Sequence, residues 1–397
     1  MKRQIPTIKY SGLQGSFWMS FCIVFNYAAM YLLSKGFSNS QIGLIVALAG
    51  LISAGLQPVI AGFAENGGKI SLRALIMAIS IFMIACAGIL LIPGLYFLCH
   101  ALFYGILITF LQVLTPLVNA IGMEWINRGI PINFGLARGI GSVSYAAVSF
   151  LVGKIVADHS TNIIPVFIIL IYFLVLIASC IFVLRKEPEG DVIAKPVQAE
   201  FPDEQNRVMQ ASFFASYKKF FVLLVGASLV FVSHNMLNNF LFQIMQYHGG
   251  GSAEMGAASG IAAFLELPTM IGFSWLVSRI SSGNLLKISG VFFTLKALLM
   301  LVAGNIGGIF IAQAAQMFGF ALFTPASVYY TNSLIRPSDR VKGQAYMTAT
   351  NTIGSVFGSA LGGILLDAAG VPMMIFVAFA AGVAGTFILI FTTEKTA

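Results

Sequence analysis

The stretch NIIPVFIILIYFLVLIASCIFVLRKEPEGD, residues 162–191, carries no charge as far as residue 184 and then becomes densely charged. A helix rises about 1.5 Å per residue, so an apolar segment of this length crosses the roughly 30 Å hydrocarbon core of a bilayer. Charged side chains are expensive inside that core, which places the helix end near residue 184. The stretch therefore predicts a membrane-spanning helix followed by a solvated segment.

The rest of the chain repeats this apolar pattern. Of its 397 residues, 58% are hydrophobic and 9% are charged, against roughly 25% charge in a soluble domain. The runs do not alternate apolar and polar residues as the strands of an outer-membrane barrel do. An all-α membrane protein with twelve transmembrane helices is predicted, with spans near residues 13–34, 40–63, 73–93, 95–122, 136–157, 162–184, 217–246, 251–279, 284–303, 306–334, 342–366 and 371–393.

Landmarks in the first six spans recur about 210 residues later, which indicates a tandem duplication. Three sets of landmarks recur in this way: Pro58 and Pro268, Thr115-Pro116 and Thr324-Pro325, and Ile140-Gly141-Ser142-Val143 and Ile353-Gly354-Ser355-Val356. A charged, proline-containing segment separates the copies and reads as a linker. We therefore expect two six-helix bundles related by pseudo-twofold symmetry, residues 1–184 and 217–397, joined by a cytoplasmic linker at 185–216.

Basic residues orient the predicted spans. With the N-terminus in the cytoplasm, almost every Lys and Arg between spans faces inward, and only Lys35 and Lys154 face outward. This bias predicts a multi-pass protein of the cytoplasmic (inner) membrane, with both termini cytoplasmic. The net charge of +8 does not indicate nucleic acid, because the sequence has no basic cluster interleaved with aromatic residues.

Three motifs resemble the major facilitator superfamily. Glu65-Asn66-Gly67-Gly68-Lys69 after span 2 is similar to its Asp-x-x-Gly-Arg loop, and Asp339-Arg340-Val341-Lys342-Gly343 is similar to a common helix start before span 11. The segment Asn133-Phe134-Gly135-Leu136-Ala137-Arg138 resembles the start of span 5 in lactose permease, nucleoside:proton symporters and 3-phenylpropionate transporters. The resemblance covers essentially the whole chain and implies the superfamily's two-bundle fold and a transport function.

By this resemblance, Arg138 occupies the position of a substrate-binding arginine, Tyr145 that of a tryptophan that stacks on sugar, and Glu266 that of a span-8 glutamate. The permease's span-10 His and Glu, which handle the proton, align instead with Gln316 and Gly319. Asn119, Asn351 and Lys296 also stand where the permease has charged residues, whereas His234 is like the 3-phenylpropionate branch. The permease's coupling chemistry therefore does not carry over, and lactose is not the expected substrate.

The same positions stand out without the resemblance, because ionisable side chains inside a membrane are normally retained for function. Arg138 either binds the solute with its guanidinium group or snorkels from the start of its helix. Glu266 is either a proton site or the acid of a static buried ion pair with Lys296 or Arg138. The asparagines of span 7 either contact the solute or join helices by hydrogen bonds.

The sequence thus predicts a secondary active transporter that moves a sugar, nucleoside or small organic acid by alternating access, with a co-transported proton. The predicted substrate-binding residues are Arg138, Tyr145, Asn119, His234, Asn238, Gln316, Asn351 and Asn26, and the predicted proton-coupling residues are Glu266, His234 and Lys296. An uncoupled facilitator and a non-transporting receptor remain alternatives. An enzyme is not expected, because the four His residues are far apart and no metal-binding or nucleophile motif occurs. We expect no cofactor or metal, no partners beyond solute, proton and lipid bilayer, and a monomer.

Overall fold

The computed structural model describes residues 5–65, 71–182 and 213–394. Most of the predicted linker and residues 66–69 of the loop after span 2 lie outside these ranges. We number the membrane-spanning helices α1 to α12 in chain order, so that they correspond to the twelve predicted spans.

The N-terminal half contains α1 to α6. Their bounds are Ile5–Ser34 for α1, Asn39–Glu65 for α2, Leu72–Ile89 for α3, Phe97–Asn127 for α4, Phe134–Asp158 for α5 and Ile164–Ile181 for α6. Helix α1 begins eight residues before its predicted span, because Tyr10 is fully buried and its hydroxyl donates to the Val118 carbonyl of α4 at 3.1 Å. Polar residues that pack against a neighbouring helix thus extend α1 beyond its apolar run.

The C-terminal half contains α7 to α12. Helix α7 comprises Lys218–Asn239 and Leu241–Tyr247, α8 is Ser252–Arg279, α9 is Ser282–Val302, and α10 comprises Ile306–Ala314 and Phe320–Leu334 with a 3₁₀ turn between them. The last helical stretch, Arg340–Thr392, is 53 residues long and is interrupted at Gly370, where φ is 77°. At about 1.5 Å per residue it is long enough to cross a membrane twice, so it comprises α11 before Gly370 and α12 after it.

Length and hydropathy support the count of twelve spans. Among the described residues, ten helices are long and apolar enough to cross a membrane, and the two bent parts of α1 make an eleventh. The 53-residue stretch is one of the ten and contributes two spans. The prediction of an all-α protein with twelve spans is therefore confirmed.

Interruptions in α1 and α7 follow the predicted repeat. Helix α1 changes to a π turn at Cys22–Asn26 and bends by 41°, and α7 is broken at Phe240, about 210 residues later. The hydroxyl of Tyr104 on α4 donates to the Val24 carbonyl within the π turn at 3.1 Å. A side chain that inserts into the backbone ladder is an ordinary cause of such a bend.

Hydrogen bonds join the two halves at one end of the bundle, which we call the closed end. It comprises the ends of α1, α5, α7 and α11 and the starts of α2 and α8. Helices α5 and α8 approach closely here, because Ser149 Oγ donates to the Gly256 carbonyl at 2.8 Å and a Cβ on Gly153 would lie 2.6 Å from the Ser252 carbonyl oxygen. In the part of the chain that the structure describes, every hydrogen bond between the halves lies at this end or just below it, where Ser259 Oγ donates to Asn26 Oδ1 at 3.1 Å.

Candidate functional site

A continuous network of hydrogen-bonded polar side chains joins four helices of the C-terminal half. Lys296 Nζ on α9 donates to Asn238 Oδ1 at 2.8 Å and to Gln316 Oε1 at 2.5 Å, and Gln316 Nε2 donates to Glu266 Oε1 at 2.7 Å. Asn238 Nδ2 lies 2.9 Å from His234 Nε2 one helical turn away. The network therefore joins Glu266, Gln316, Lys296, Asn238 and His234, which come from α7, α8, α9 and α10.

Local helix structure explains how Gln316 reaches both charged groups. The 3₁₀ turn Ala315–Met317 interrupts α10 at this residue, and the following Gly319 is not helical. The amide is held from both sides, since its oxygen accepts from Lys296 and its nitrogen donates to Glu266. Gln316 thereby separates an ammonium from a carboxylate that would otherwise pair directly.

The ionisable members of this network are withdrawn from the surface. Glu266 is 6% exposed, His234 is 6% exposed and Lys296 is 1% exposed. The His234 ring stacks on Phe320 with ring centroids 5.1 Å apart, and its edge faces Phe293. Buried charges are tolerated only when they are paired or hydrogen-bonded, and the amide bridges meet that condition.

A second cluster lies on the N-terminal half, around Arg138. The Arg138 guanidinium lies 3.8 Å from the centroid of the Trp18 ring, and its Nη1 donates to Ser142 Oγ at 3.0 Å. Trp18 Nε1 donates to Gln14 Oε1 at 3.0 Å, and Gln14 Nε2 donates to Asn119 Oδ1 at 3.1 Å. This chain of contacts fixes the plane of the guanidinium group, and the role of Arg138 in binding a solute stays a prediction.

The two clusters face each other across the halves. Arg138 and Glu266 lie next to a contact between α5 and α8, because a Cβ on Gly139 would lie 3.7 Å from Leu267 Cδ2. Neither Arg138 nor Lys296 forms a direct ion pair with Glu266. The ion pairs found among the described residues are instead Arg128 with Glu124 and Lys219 with Glu394. The static ion pair considered from the sequence is therefore replaced by a bridged arrangement in which Gln316 lies between Glu266 and Lys296.

Other predicted site residues lie outside these two clusters. Asn351 on α11 accepts a hydrogen bond from Asn235 at 3.2 Å, and Asn26 accepts one from Ser259 just below the closed end. Tyr145 is half-buried and packs against a hydrophobic core to which both halves contribute. Their roles as substrate-binding residues stay predictions.

Sequence reasoning missed Gln14 and Trp18. Both belong to α1, on the same face as Tyr10, whose hydroxyl accepts from Gln14 Nε2 at 2.6 Å. The spacing of four residues from Tyr10 to Gln14 and from Gln14 to Trp18 could have indicated a polar stripe. The predicted span starts at residue 13 and so leaves out Tyr10, the first residue of this stripe.

Comparisons with known proteins agree with this architecture. The model of the MFS_1 like family matches residues 9–378, whereas no curated protein sequence matches the chain at a significant level. A crystal structure of a variant of the nucleoside transporter NupG has a TM-score of 0.79 at 13% identity, covering 99% of this chain and 100% of that one. A second NupG crystal structure has a TM-score of 0.73 at 16% identity, with full coverage of both chains.

A bacterial homologue of the human drug peptide transporters has a TM-score of 0.68 at 12% identity, covering 98% of this chain and 97% of that one. Identities this low show a shared fold and leave the substrate open. The family match, in contrast, spans nearly all of the chain and confirms the superfamily to which the sequence motifs pointed. This chain belongs to the MFS_1 like family of major facilitator superfamily proteins.

Proposed function

We propose that this protein is a secondary active transporter that moves a small polar solute across the cytoplasmic membrane by alternating access, coupled to a proton on Glu266. The observation that carries the proposal is the pair of facing clusters, Arg138 with Trp18 on one half and the Glu266 network on the other. Binding sites between pseudo-symmetric halves suit transport, because rocking of the halves exposes the same site to either side. The proposal includes no catalytic step.

The proposed orientation assigns a direction to the present conformation. Because the basic connectors favour a cytoplasmic N-terminus, the closed end lies on the outer side of the membrane. Hydrogen bonds between the halves, in the described ranges, lie at this end or just below it. The conformation is then the one in which the site opens to the cytoplasm, and transport requires the closed end to separate.

Proton coupling follows from the bridge at Gln316. While Glu266 is ionised, Gln316 donates to it and also accepts from Lys296, so all three groups are held together. A proton on Glu266 removes the charge that balances Arg138 and Lys296, and both cations then favour an anionic or hydroxyl-rich solute. Solute and proton would thus favour each other's binding, which is the requirement for symport.

The chemistry of the two clusters suits sugars, nucleosides and small organic acids. The Glu266 network is polar and charged, whereas Trp18, beside Arg138, begins a row with Phe21 and Phe25 in which the half-buried rings have centroids 5.2 and 5.3 Å apart. A solute with one flat face and one hydrogen-bonding edge would suit both kinds of surface. Nucleosides have this shape and are the substrate named for both similar NupG structures, so they are the first compounds to test.

The experiment begins with a thermal-shift screen of the purified protein against nucleosides, sugars and small carboxylates. Ligands that stabilise the wild type and fail to stabilise Arg138→Ala are then tested for uptake into proteoliposomes under an inward proton gradient. Glu266→Gln should abolish accumulation of the solute against its concentration gradient, while the solute still crosses the membrane down that gradient. Glu254→Gln is the matched control, because Glu254 belongs to the same helix but only caps its first turn.

An uncoupled facilitator is the second candidate function. Gln316 and Gly319 stand where the resembled permease has the His and Glu that handle its proton. A facilitator would equilibrate the solute in wild type and in Glu266→Gln alike and would never concentrate it. Absence of flux for every solute that binds would instead favour a receptor and contradict the transport proposal.

A further inference from the structure

The backbone N–H groups in the first turn of α2 donate hydrogen bonds to acceptors from both halves of the molecule. Ser38 and Gln41 form a reciprocal cap, in which Gln41 N donates to Ser38 Oγ at 3.3 Å and Ser38 N donates to Gln41 Oε1 at 3.0 Å. This local cap leaves the N–H groups of Asn39 and Ser40 to be satisfied from elsewhere, because the first N–H groups of a helix have no intrahelical acceptor.

Asp367, on α11 of the other half, accepts both of these hydrogen bonds. Asn39 N donates to Oδ1 at 3.1 Å and Ser40 N donates to Oδ2 at 2.7 Å, while Asn39 Nδ2 also donates to Oδ1 at 2.9 Å. Both carboxylate oxygens are engaged at the positive end of a helix dipole, where a negative charge is stabilising. The cap of α2 is therefore completed across the boundary between the halves.

A third helix joins the same point. Gln243 Nε2 on α7 donates to Asn39 Oδ1 at 2.9 Å, so the Asn39 side chain links α7 to α11. Asp367 itself is exposed, so water already reaches its side chain in the closed state. These features distinguish the contact from buried helix packing, since its hydrogen bonds can be exchanged for water without opening a cavity.

We infer that Asp367 is a detachable cap of α2 that holds the outer end of the transporter closed. The inference rests on the alternating-access function proposed above. When the halves separate, Asn39 and Ser40 lose a charged acceptor that only the closed state supplies. The latch formed by Asp367, Asn39 and Ser40 thus contributes free energy to one conformation alone, which is what a conformational bias requires.

The test measures opening of the closed end without any solute. Cys22, Cys86, Cys99 and Cys180 are first replaced by Ala, and Ser259→Cys is introduced as the probe, because Ser259 lies just below the closed end against Asn26. Protein in proteoliposomes is labelled with a membrane-impermeant maleimide from the side of the latch. Asp367→Asn should raise the labelling rate about tenfold, the effect of losing roughly one charge-assisted hydrogen bond.

Two further variants separate a latch from a general loss of structure. Asn39→Asp places a second carboxylate beside Asp367 and should raise the rate at least as much. The double variant Asn39→Asp with Asp367→Asn exchanges the two side chains and should return the rate toward that of the parent. Asp158→Asn is the control, because Asp158 is an exposed acid at the same end of the bundle and is not part of the latch.

An unchanged rate in Asp367→Asn, or a double variant that labels as fast as either single one, would overturn the latch. These outcomes are distinct from failure of the proposed function. If the labelling rate depends on the latch residues but the protein transports no solute, the transport proposal is refuted and the latch stands. If the protein transports solute but the labelling rate does not depend on Asp367, the latch is refuted and the transport proposal stands.

Discussion

Substitution of Gly43 by alanine should force the closed end apart. Helix α2 crosses α11 here with so little space that a Cβ on Gly43 would clash with the Ser359 carbonyl oxygen and lie 3.4 Å from the Gly363 Cα. Because the clash is with backbone, no side chain can rotate to relieve it, and the two helices must move apart by about 1 Å to restore contacts near 3.5 Å. Overpacking of this kind costs about 1–3 kcal/mol.

That energy applies to the closed state, since the contact disappears when the halves part. At about 1.4 kcal/mol per factor of ten, the equilibrium between closed and open ends should shift roughly fivefold to 150-fold toward open. The two states of a transporter commonly differ by only a few kcal/mol, so this shift is large enough to make the open end well populated.

The shift can be followed by distances between spin labels. Labels at the exposed residues His159 and Ala369, which lie in opposite halves at the closed end, should give a longer and broader distance distribution in Gly43→Ala. Gly50→Ala is the matched control, because it lies on the same helix and its added Cβ would make an ordinary 3.5 Å contact with Val356. Unchanged distances in Gly43→Ala, or an equal change in Gly50→Ala, would refute the reasoning.

Three other predictions follow from the site and the helix breaks. Gln316→Leu should lower the thermal stability of the purified protein, because it leaves the buried Glu266 and Lys296 without their bridge. Gln313→Leu should be nearly neutral, because Gln313 Oε1 has no partner among the described residues. Equal destabilisation by the two substitutions would contradict the bridge. Trp18→Leu should reduce the thermal shift produced by any solute whose binding requires Arg138, whereas Trp18→Phe should retain part of the shift because an aromatic face remains beside the guanidinium. Identical shifts in the two variants would show that the contact between the Trp18 ring and Arg138 does not affect binding. Gly370→Ala should destabilise the protein by about 1–3 kcal/mol, because φ of 77° with ψ of −178° is a backbone conformation that essentially only glycine adopts. Chemical denaturation should show a smaller loss for Gly304→Ala, whose added Cβ would meet no atom within 4 Å.

Much of the fold could be predicted because a bilayer imposes simple rules. Apolar runs of the right length predicted each span, and most bounds differ from the structure by a few residues. The exception is α1, whose first turns carry Tyr10 and Gln14 and therefore look polar until their partners on α4 are known. Local hydropathy detects contact with lipid, whereas polar packing between helices depends on residues far away in the chain.

Ionisable residues within the spans were also visible in the sequence, since each one is costly in a membrane. Arg138, Glu266, Lys296 and His234 could be selected in this way. Their connections could not, because the sequence allowed Glu266 to pair directly with Lys296, and the structure places Gln316 between them. Gln316 lies in the 3₁₀ turn that breaks α10, and just beyond it the Gly319 carbonyl accepts a hydrogen bond from Ser289 of α9 at 2.8 Å, a contact that hydropathy does not record.

The sequence by itself determined that this chain crosses the membrane twelve times in two related halves, because burial in lipid is decided residue by residue along each helix. The tertiary structure alone decided which polar groups meet and which end is closed. Hydrogen bonds such as those from Asn39 and Ser40 to Asp367 join residues more than 300 positions apart, and no local pattern records them. Their geometry depends on how whole helices pack, which is a property of the assembled bundle.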